Sequence, residues 1–327
     1  MSAARPTRPG PVVCVGETMA ALAPAPAAPL DTADLLRLDI AGAESNVAMY
    51  LADHGVPARW VSALGDDPFG RRVRERVAAF GVDVAGVRTD PTRPTGLLIK
   101  DPGPDGTRVL YYRRGSAASA LTPELLHGEA VRGAGLVHLT GITPALSASC
   151  RALVEEALSP GRPYPVSFDV NHRPALWRDG SAAEVLLSLA GRADIVFVGL
   201  DEAQALWGDC LTDAAAVREL LPGPGTLVVK DGSRAATAFV GPTPYTVPAL
   251  AVDVVEPVGA GDAFAAGFLA ASRQSDDPVR ALRLGHLTAA SALRVTADHG
   301  PLPPPARMKE LLAADDATWS AGGAAGG

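Results

Sequence analysis

Asp262 ends the run Gly259-Ala260-Gly261-Asp262, and the residues after it, Ala263 to Ala271, are small or apolar as a packed helix requires. The first turn of a helix leaves backbone N–H groups unpaired at a partly positive end, and glycine lets that backbone approach a ligand closely. The 259–261 amides could therefore cradle a phosphate or a developing oxyanion. A carboxylate beside such a cradle would repel phosphate unless it has a task of its own. The simplest task is to take a proton from a hydroxyl as that hydroxyl attacks phosphorus. The same four residues also suit an ordinary helix start, where a capping aspartate is worth about 1 kcal/mol, so the motif alone leaves both readings open. Two arginines invite a second kind of chemistry, because a guanidinium can grip a carboxylate through two parallel hydrogen bonds. Arg113 follows the aromatic pair Tyr111-Tyr112, and Arg173 follows a short apolar run that ends in Asp169 and Asn171. Either could equally be a solvated surface residue, but ligands gather at strand ends of this kind.

The elements that would position these groups alternate. Short apolar runs at Val12–Val15, Arg59–Ala63, Leu136–Thr140, Pro165–Asp169, Ile195–Val198 and Thr226–Lys230 read as strands. Helical patterns lie between them at Ser45–Asp53, Phe69–Phe80, Ser149–Leu158, Ala182–Ala190 and Ala214–Leu221, with more at Val279–Val295 and Ala306–Ala313. Strand–helix alternation predicts an α/β fold whose mainly parallel sheet is covered by helices on both faces. The segment Thr95–Arg113 breaks the rule: strand, a Pro/Gly turn at Asp101–Gly106, and strand again, hence a β-hairpin. With the irregular, apolar stretch Met19–Ile40 it is expected to form a small separate sheet.

At this point a resemblance becomes specific. Glu256–Phe268 resembles the Asp-x-x-Gly-Ala-Gly-Asp-x-Phe signature of the ribokinase-like sugar kinases. Gly42-Ala43-Glu44-Ser45-Asn46 is similar to that family's sugar-binding turn, and Gly65–Gly70 to its Gly-x-Asp-x-x-Gly segment. Tyr111–Ala117, Leu139–Leu146, and Asp169–Arg173 with Leu176-Trp177 resemble the 2-keto-3-deoxygluconate kinases within it. The resemblance implies a ribokinase-like core (1–16, 42–92 and 118–313), a β lid over the sugar (17–41 and 93–117) that also forms a homo-oligomer contact, and a tail (314–327) expected to be disordered. It implies an ATP-dependent kinase acting on the 6-hydroxyl of 2-keto-3-deoxygluconate or a close keto-acid sugar. Asp262 would be its base, and the Gly259, Ala260 and Gly261 amides its anion hole. Gly42, Ala43, Glu44, Ser45 and Asn46 would hold sugar hydroxyls. Tyr111, Tyr112 and Arg113 would meet the acid end, Arg173 would bridge sugar and phosphate, and Asp298 would add a contact. ATP would meet Asn171, Arg173, Gly199, Lys230, Asp231, Gly232, Ser233, Arg234, Ala235 and His286 besides the anion hole. Mg²⁺ would accompany the phosphates with no direct protein ligand, Glu202 acting through water, and a monovalent cation would sit near Glu256.

Four residues depart from the resembled pattern. Glu256 stands for an aspartate, Gly199 for an asparagine or serine, Leu98 for a substrate-facing tyrosine, and His286 for an asparagine near adenine. They keep two rivals in play: a fructokinase-like kinase of neutral sugars, and a non-catalytic sugar sensor on the same fold.

Composition excludes other classes. A net charge of −7 disfavours nucleic acid or an anionic membrane as partner. Cys14, Cys150 and Cys210 have neither zinc-site nor disulfide-framework spacing and read as reduced thiols of a cytoplasmic protein. Arg5 and Arg8 in Ser2–Pro11 precede an apolar run of only Val12–Val15, too short for a signal peptide. Gly/Ala-rich Ser320–Gly327 is expected to be disordered.

Overall fold

The most apolar segments of the chain form the middle of a nine-stranded sheet. A computed structural model describes residues 9–103 and 106–322. The expected disorder of 323–327, the basic segment up to Arg8, and the hairpin turn at 104–105 lie outside the described residues. The central sheet takes β1 (Val12–Val15), β4 (Ala58–Gly65), β5 (Val87–Asp90), β8 (Leu136–Thr140), β9 (Val166–Asp169), β10 (Ile195–Gly199), β11 (Thr226–Asp231), β12 (Ala235–Val240) and β13 (Thr243–Pro248). Their order is β13-β12-β11-β10-β9-β8-β1-β4-β5. From β5 to β11 neighbours are parallel, and β12 and β13 close the edge as antiparallel strands. Prolines 244 and 248 sit comfortably there, since an edge strand needs fewer N–H donors. The chain leaves β1 toward β4 on one side and returns to β8 on the other. That strand-order switch opens a crevice at the carboxyl ends.

Both faces are covered. Val12 and Cys14 of β1 pack with α1 (Ala43–Asp53), α2 (Pro68–Ala78), α7 (Ala260–Gln274) and α8 (Pro278–Leu293). Val13 and Val15 point the other way, toward α3 (Ala148–Ala157), α4 (Ala182–Ala190), α5 (Leu200–Trp207) and α6 (Ala214–Leu220). All four side chains are fully buried, each worth roughly 1.5–3 kcal/mol where a Val-sized group leaves water. Helix starts follow local chemistry. Asp67 caps α2 by accepting from the Gly70 amide at 2.7 Å, and Ser147 caps α3 by accepting from the Cys150 amide at 3.1 Å. Gly267 lets α8 press on α7, because a Cβ there would lie 2.4 Å from Thr288 Oγ1.

The small sheet is present, in the order β3 (Leu36–Ala41), β2 (Met19–Pro24), β6 (Leu97–Gly103), β7 (Gly106–Tyr112). Leu98 pairs with Tyr111 and Lys100 with Val109, so these four share the face toward the core. Tyr112 points the opposite way and is 61% exposed.

The apolar run Leu250–Val255 is irregular backbone, with Val254 and Val255 more than half exposed. One expectation is corrected. Part of the supposed tail is ordered: α9 (Pro305–Ala313) is followed by α10 (Asp316–Gly322). Trp319 is buried, its indole N–H donates to the Pro248 carbonyl at 3.0 Å, and the Arg283 guanidinium lies 5.1 Å from its ring. Among the described residues no helix is long and apolar enough to cross a membrane.

Candidate active site

The carboxyl ends of β9, β10 and β11, the start of α7 and the inner face of the small sheet enclose a cleft of about 1140 Å³. Gly259 makes the turn into α7. Its φ is +85°, where other residues are strained, and a Cβ would fall 2.6 Å from the Asp298 carbonyl oxygen. Asp262 lies in the first turn, buried but on the cleft wall. Asn46, one turn into α1, donates to Asp262 Oδ2 at 3.0 Å, and Asn171 donates to Oδ1 at 3.0 Å. Asn171 takes φ 39°, which asparagine tolerates better than most residues, and this turn after β9 aims its amide at the carboxylate. Burial raises the Asp262 pKa to about 6. The Asn46 hydrogen bond and the Arg173 charge pull it down, while Asp169 and Asp298 push it up. Above that pH the carboxylate is charged, oriented and open to the cleft, as a proton acceptor must be.

Toward the ends of β9–β11 the cleft carries charges of both signs, Lys230 and Arg173 beside Asp169, Asp201 and Glu202. Lys230 pairs with Asp169 at 3.1 Å, and its ammonium lies 3.4 Å from where a Cβ on Gly261 would stand. Burial works against its charge, but Asp169 and Glu202 outweigh it and hold the lysine protonated. Arg173 is exposed along the same wall. Glu202 accepts from the Gly199 amide at 3.0 Å and from the His172 amide, so both oxygens tie the loop after β9 to the start of α5. Its pKa is raised, first by burial and then by Asp169. Beyond them the wall is apolar, with Ala236, Leu250, Phe264, Ala289 and Leu293 around His286. Burial lowers the His286 pKa to about 4. The neutral ring's Nε2 donates to the Val247 carbonyl at 3.1 Å, which leaves Nδ1 an acceptor. Phe264 meets His286 edge-on at 5.1 Å, and Trp319 of α10 lies behind it at 6.4 Å. Gly232, Ser233 and Ala235 line the cleft, whereas Asp231 and Arg234 pair with each other at 2.5 Å outside its lining. Among the described residues no three His, Cys, Asp or Glu side chains cluster to hold a metal ion.

The sugar-side residues divide. Gly42 caps α1, Asn46 reaches Asp262, and Asp298 lines the cleft beside it. Glu44 instead points away, fully buried, accepting from Thr140 Oγ1 at 2.7 Å and Thr143 Oγ1 at 2.8 Å, with burial raising its pKa to about 7. It braces the sheet beneath the site rather than meeting a ligand. Ala43 and Ser45 are buried too, the Ser45 hydroxyl donating to the Gly42 carbonyl at 3.0 Å. Tyr111 faces the cleft, and strand alternation sends Tyr112 to the outer face. Arg113 has its grip taken by an internal acid. Its Nη2 lies 2.5 Å and its Nε 2.6 Å from Glu17 Oε2, while Ser116 donates to Glu17 Oε1 at 2.5 Å. Leu98 forms part of the wall. Sequence reasoning missed Glu17, whose partner lies 96 residues away, and Lys100, whose period-2 relation to Leu98 on a hairpin strand would have placed it in the cleft. The Lys100 ammonium lies 3.3 Å from Asp298 Oδ1 and 3.8 Å from Glu256 Oε2.

The chain is similar to known proteins over most of its length. The sequence profile of the pfkB family carbohydrate kinases matches residues 11–304. The chain is 36% identical over 308 residues to a 2-dehydro-3-deoxygluconokinase of Thermoproteus tenax, spanning 93% of this chain and 94% of the relative. It is 34% identical over 235 residues to fructokinase-1 of Oryza sativa subsp. japonica, spanning 70% and 72% of the two chains. A fructokinase of Xylella fastidiosa solved with bound ATP superposes with a TM-score of 0.75 at 25% identity, covering 88% of this chain and 93% of that one.

Proposed function

The chain belongs to the pfkB family of carbohydrate kinases, and from that premise we propose that it transfers the γ-phosphoryl group of ATP to the 6-hydroxyl of 2-keto-3-deoxygluconate or a close keto-acid sugar. Asp262 takes the hydroxyl proton as the oxygen attacks phosphorus in line; the P–O bond to ADP breaks as the new one forms. The Gly259, Ala260 and Gly261 amides stabilise charge on the transferring group. Lys230 and Arg173 offset the charge of the polyphosphate, and the apolar wall around His286 takes the base. Asp169 and Glu202, on one wall of the cleft, suit a hydrated Mg²⁺ carried in by the nucleotide, which when bound would neutralise phosphate charge. The small sheet over the sugar end excludes water and so limits ATP hydrolysis. Its outward face, with Tyr112 exposed, is the surface we assign to contact with a second copy; sedimentation velocity of wild type and Tyr112→Lys tests that contact.

One observation carries the reading: a buried carboxylate held by two side-chain amides at 3.0 Å beside a glycine turn that opens a helix. The sugar is supported by the relative of Thermoproteus tenax. A fructokinase-like reading is favoured by Leu98 in the wall and by Arg113 engaged on Glu17. ADP release over a panel of 2-keto-3-deoxygluconate, 2-keto-3-deoxygalactonate, fructose and ribose separates them. Preference for a neutral sugar would overturn the assigned substrate, and ligand-induced stabilisation without ADP would leave only a sugar sensor.

A further inference from the structure

Lys100 crosses from the small sheet to the core. Its side chain leaves the inner face of β6, and its ammonium lies 3.3 Å from Asp298 Oδ1, 3.4 Å from the Thr296 carbonyl oxygen and 3.8 Å from Glu256 Oε2. Arg37 of β3 reaches the same segment, donating to Thr296 Oγ1 at 2.7 Å. The two acids that Lys100 meets frame the Gly259 turn. Glu256 is three residues before Gly259, and the Asp298 carbonyl packs where a Gly259 side chain would go. Both are largely buried, with side-chain exposures of 15% and 9%. Left uncompensated, two carboxylates there would oppose any anion drawn to the 259–261 amides, in surroundings where charges are weakly screened. A lysine answers this as a compact point charge on a flexible stem.

We propose that Lys100 is a positioning residue for phosphoryl transfer: its ammonium neutralises Glu256 and Asp298 and holds the 296–298 segment against Gly259, so that the anion hole is complete only with the small sheet over the cleft. The inference rests on the kinase reading above and deepens it. It also distinguishes Lys100 from a ligand of the sugar's carboxylate, since the ammonium already faces two acids of the protein.

Steady-state kinetics of Lys100→Met, Lys100→Gln and Lys100→Arg, with ATP and the best sugar of the panel, test it. The expected result is a kcat lowered about 10- to 100-fold in the two neutral variants, with KM for sugar within about threefold of wild type. Lys100→Arg keeps more activity. Adding Glu256→Gln to Lys100→Met recovers part of the loss, because the unpaired charge is then gone; a merely structural lysine would show no such recovery. Should Lys100→Met fail to fold, Lys100→Gln and Lys100→Arg carry the comparison. Unchanged kcat, a raised sugar KM at unchanged kcat, or a deeper loss in the double variant overturns the proposal. A wild type that releases no ADP with any sugar overturns the kinase reading instead, whereas a wild type that turns over beside an unimpaired Lys100→Met overturns only the assignment of Lys100.

Discussion

In the proposed mechanism the hydrogen bond from Asn46 to Asp262 sets where the carboxylate becomes active, and Asn46→Leu removes it while keeping the number and branching of the side-chain heavy atoms. The donor favours the charged carboxylate, so its loss raises the pKa, and activity that needs the free base then disappears at higher pH. A hydrogen bond to a charged group is worth roughly 1.5–3 kcal/mol, or roughly one to two pKa units at 1.36 kcal/mol per unit. Starting from about 6 for Asp262, the acid limb of kcat/KM moves to about 7 or above. At pH 6.5 wild type is then about three-quarters ionised and the variant about one-quarter, a threefold difference that vanishes well above pH 8. Asn46 is also a candidate sugar contact, so kcat/KM can fall at every pH. The readout is therefore the ratio of variant to wild type across pH 5–9, in which uniform losses and substrate titrations cancel. The limb reports the free enzyme. A ratio flat with pH in a folded Asn46→Leu protein refutes the tuning, and a wild-type profile with no acid limb above the ordinary carboxylate range refutes Asp262 as the base.

Asp262→Asn is expected to lower kcat at least about 100-fold while calorimetric ATP binding persists; near-normal turnover would remove Asp262 from the mechanism. Gly259→Ala forces a left-handed backbone on a residue with a side chain, at a cost of roughly 1–3 kcal/mol, and displaces Asp298. Urea melts should show that loss, and kcat should fall more than KM rises. Glu17→Ala leaves Arg113 buried without its acid and is expected to destabilise by roughly 3–5 kcal/mol, whereas a shift in urea midpoint worth under 1 kcal/mol would show that water or another group replaces the pair.

The parallel sheet was legible because both of its faces are covered, so β1, β8 and their neighbours are short and mostly apolar. Asp262, Gly259 and Asn46 were legible because one local motif demands each of them, and the fold brings residues 46 and 262 within 3.0 Å. What failed needed knowledge of a distant partner. Arg113 looks like a free cation until Glu17, 96 residues earlier in the chain, meets it at the same end of the small sheet, and Glu44 looks like a sugar ligand until Thr140 and Thr143 claim its oxygen. β12 and β13 were missed because β12 opens on alanines, which favour strands weakly, and β13 carries two prolines. The helix at 316–322 was hidden by its Gly/Ala-rich surroundings, since it is held by Trp319 and not by propensity.

That last helix has a practical consequence. The indole of Trp319 rests one ring behind the cleft wall we assign to the nucleotide base, tilted against His286 at 6.4 Å, which in turn meets Phe264 edge-on. Nucleotide filling that wall is expected to change the polarity around this indole, so the emission change on ATP addition, taken as the difference between wild type and Trp319→Phe, gives a label-free readout of donor occupancy.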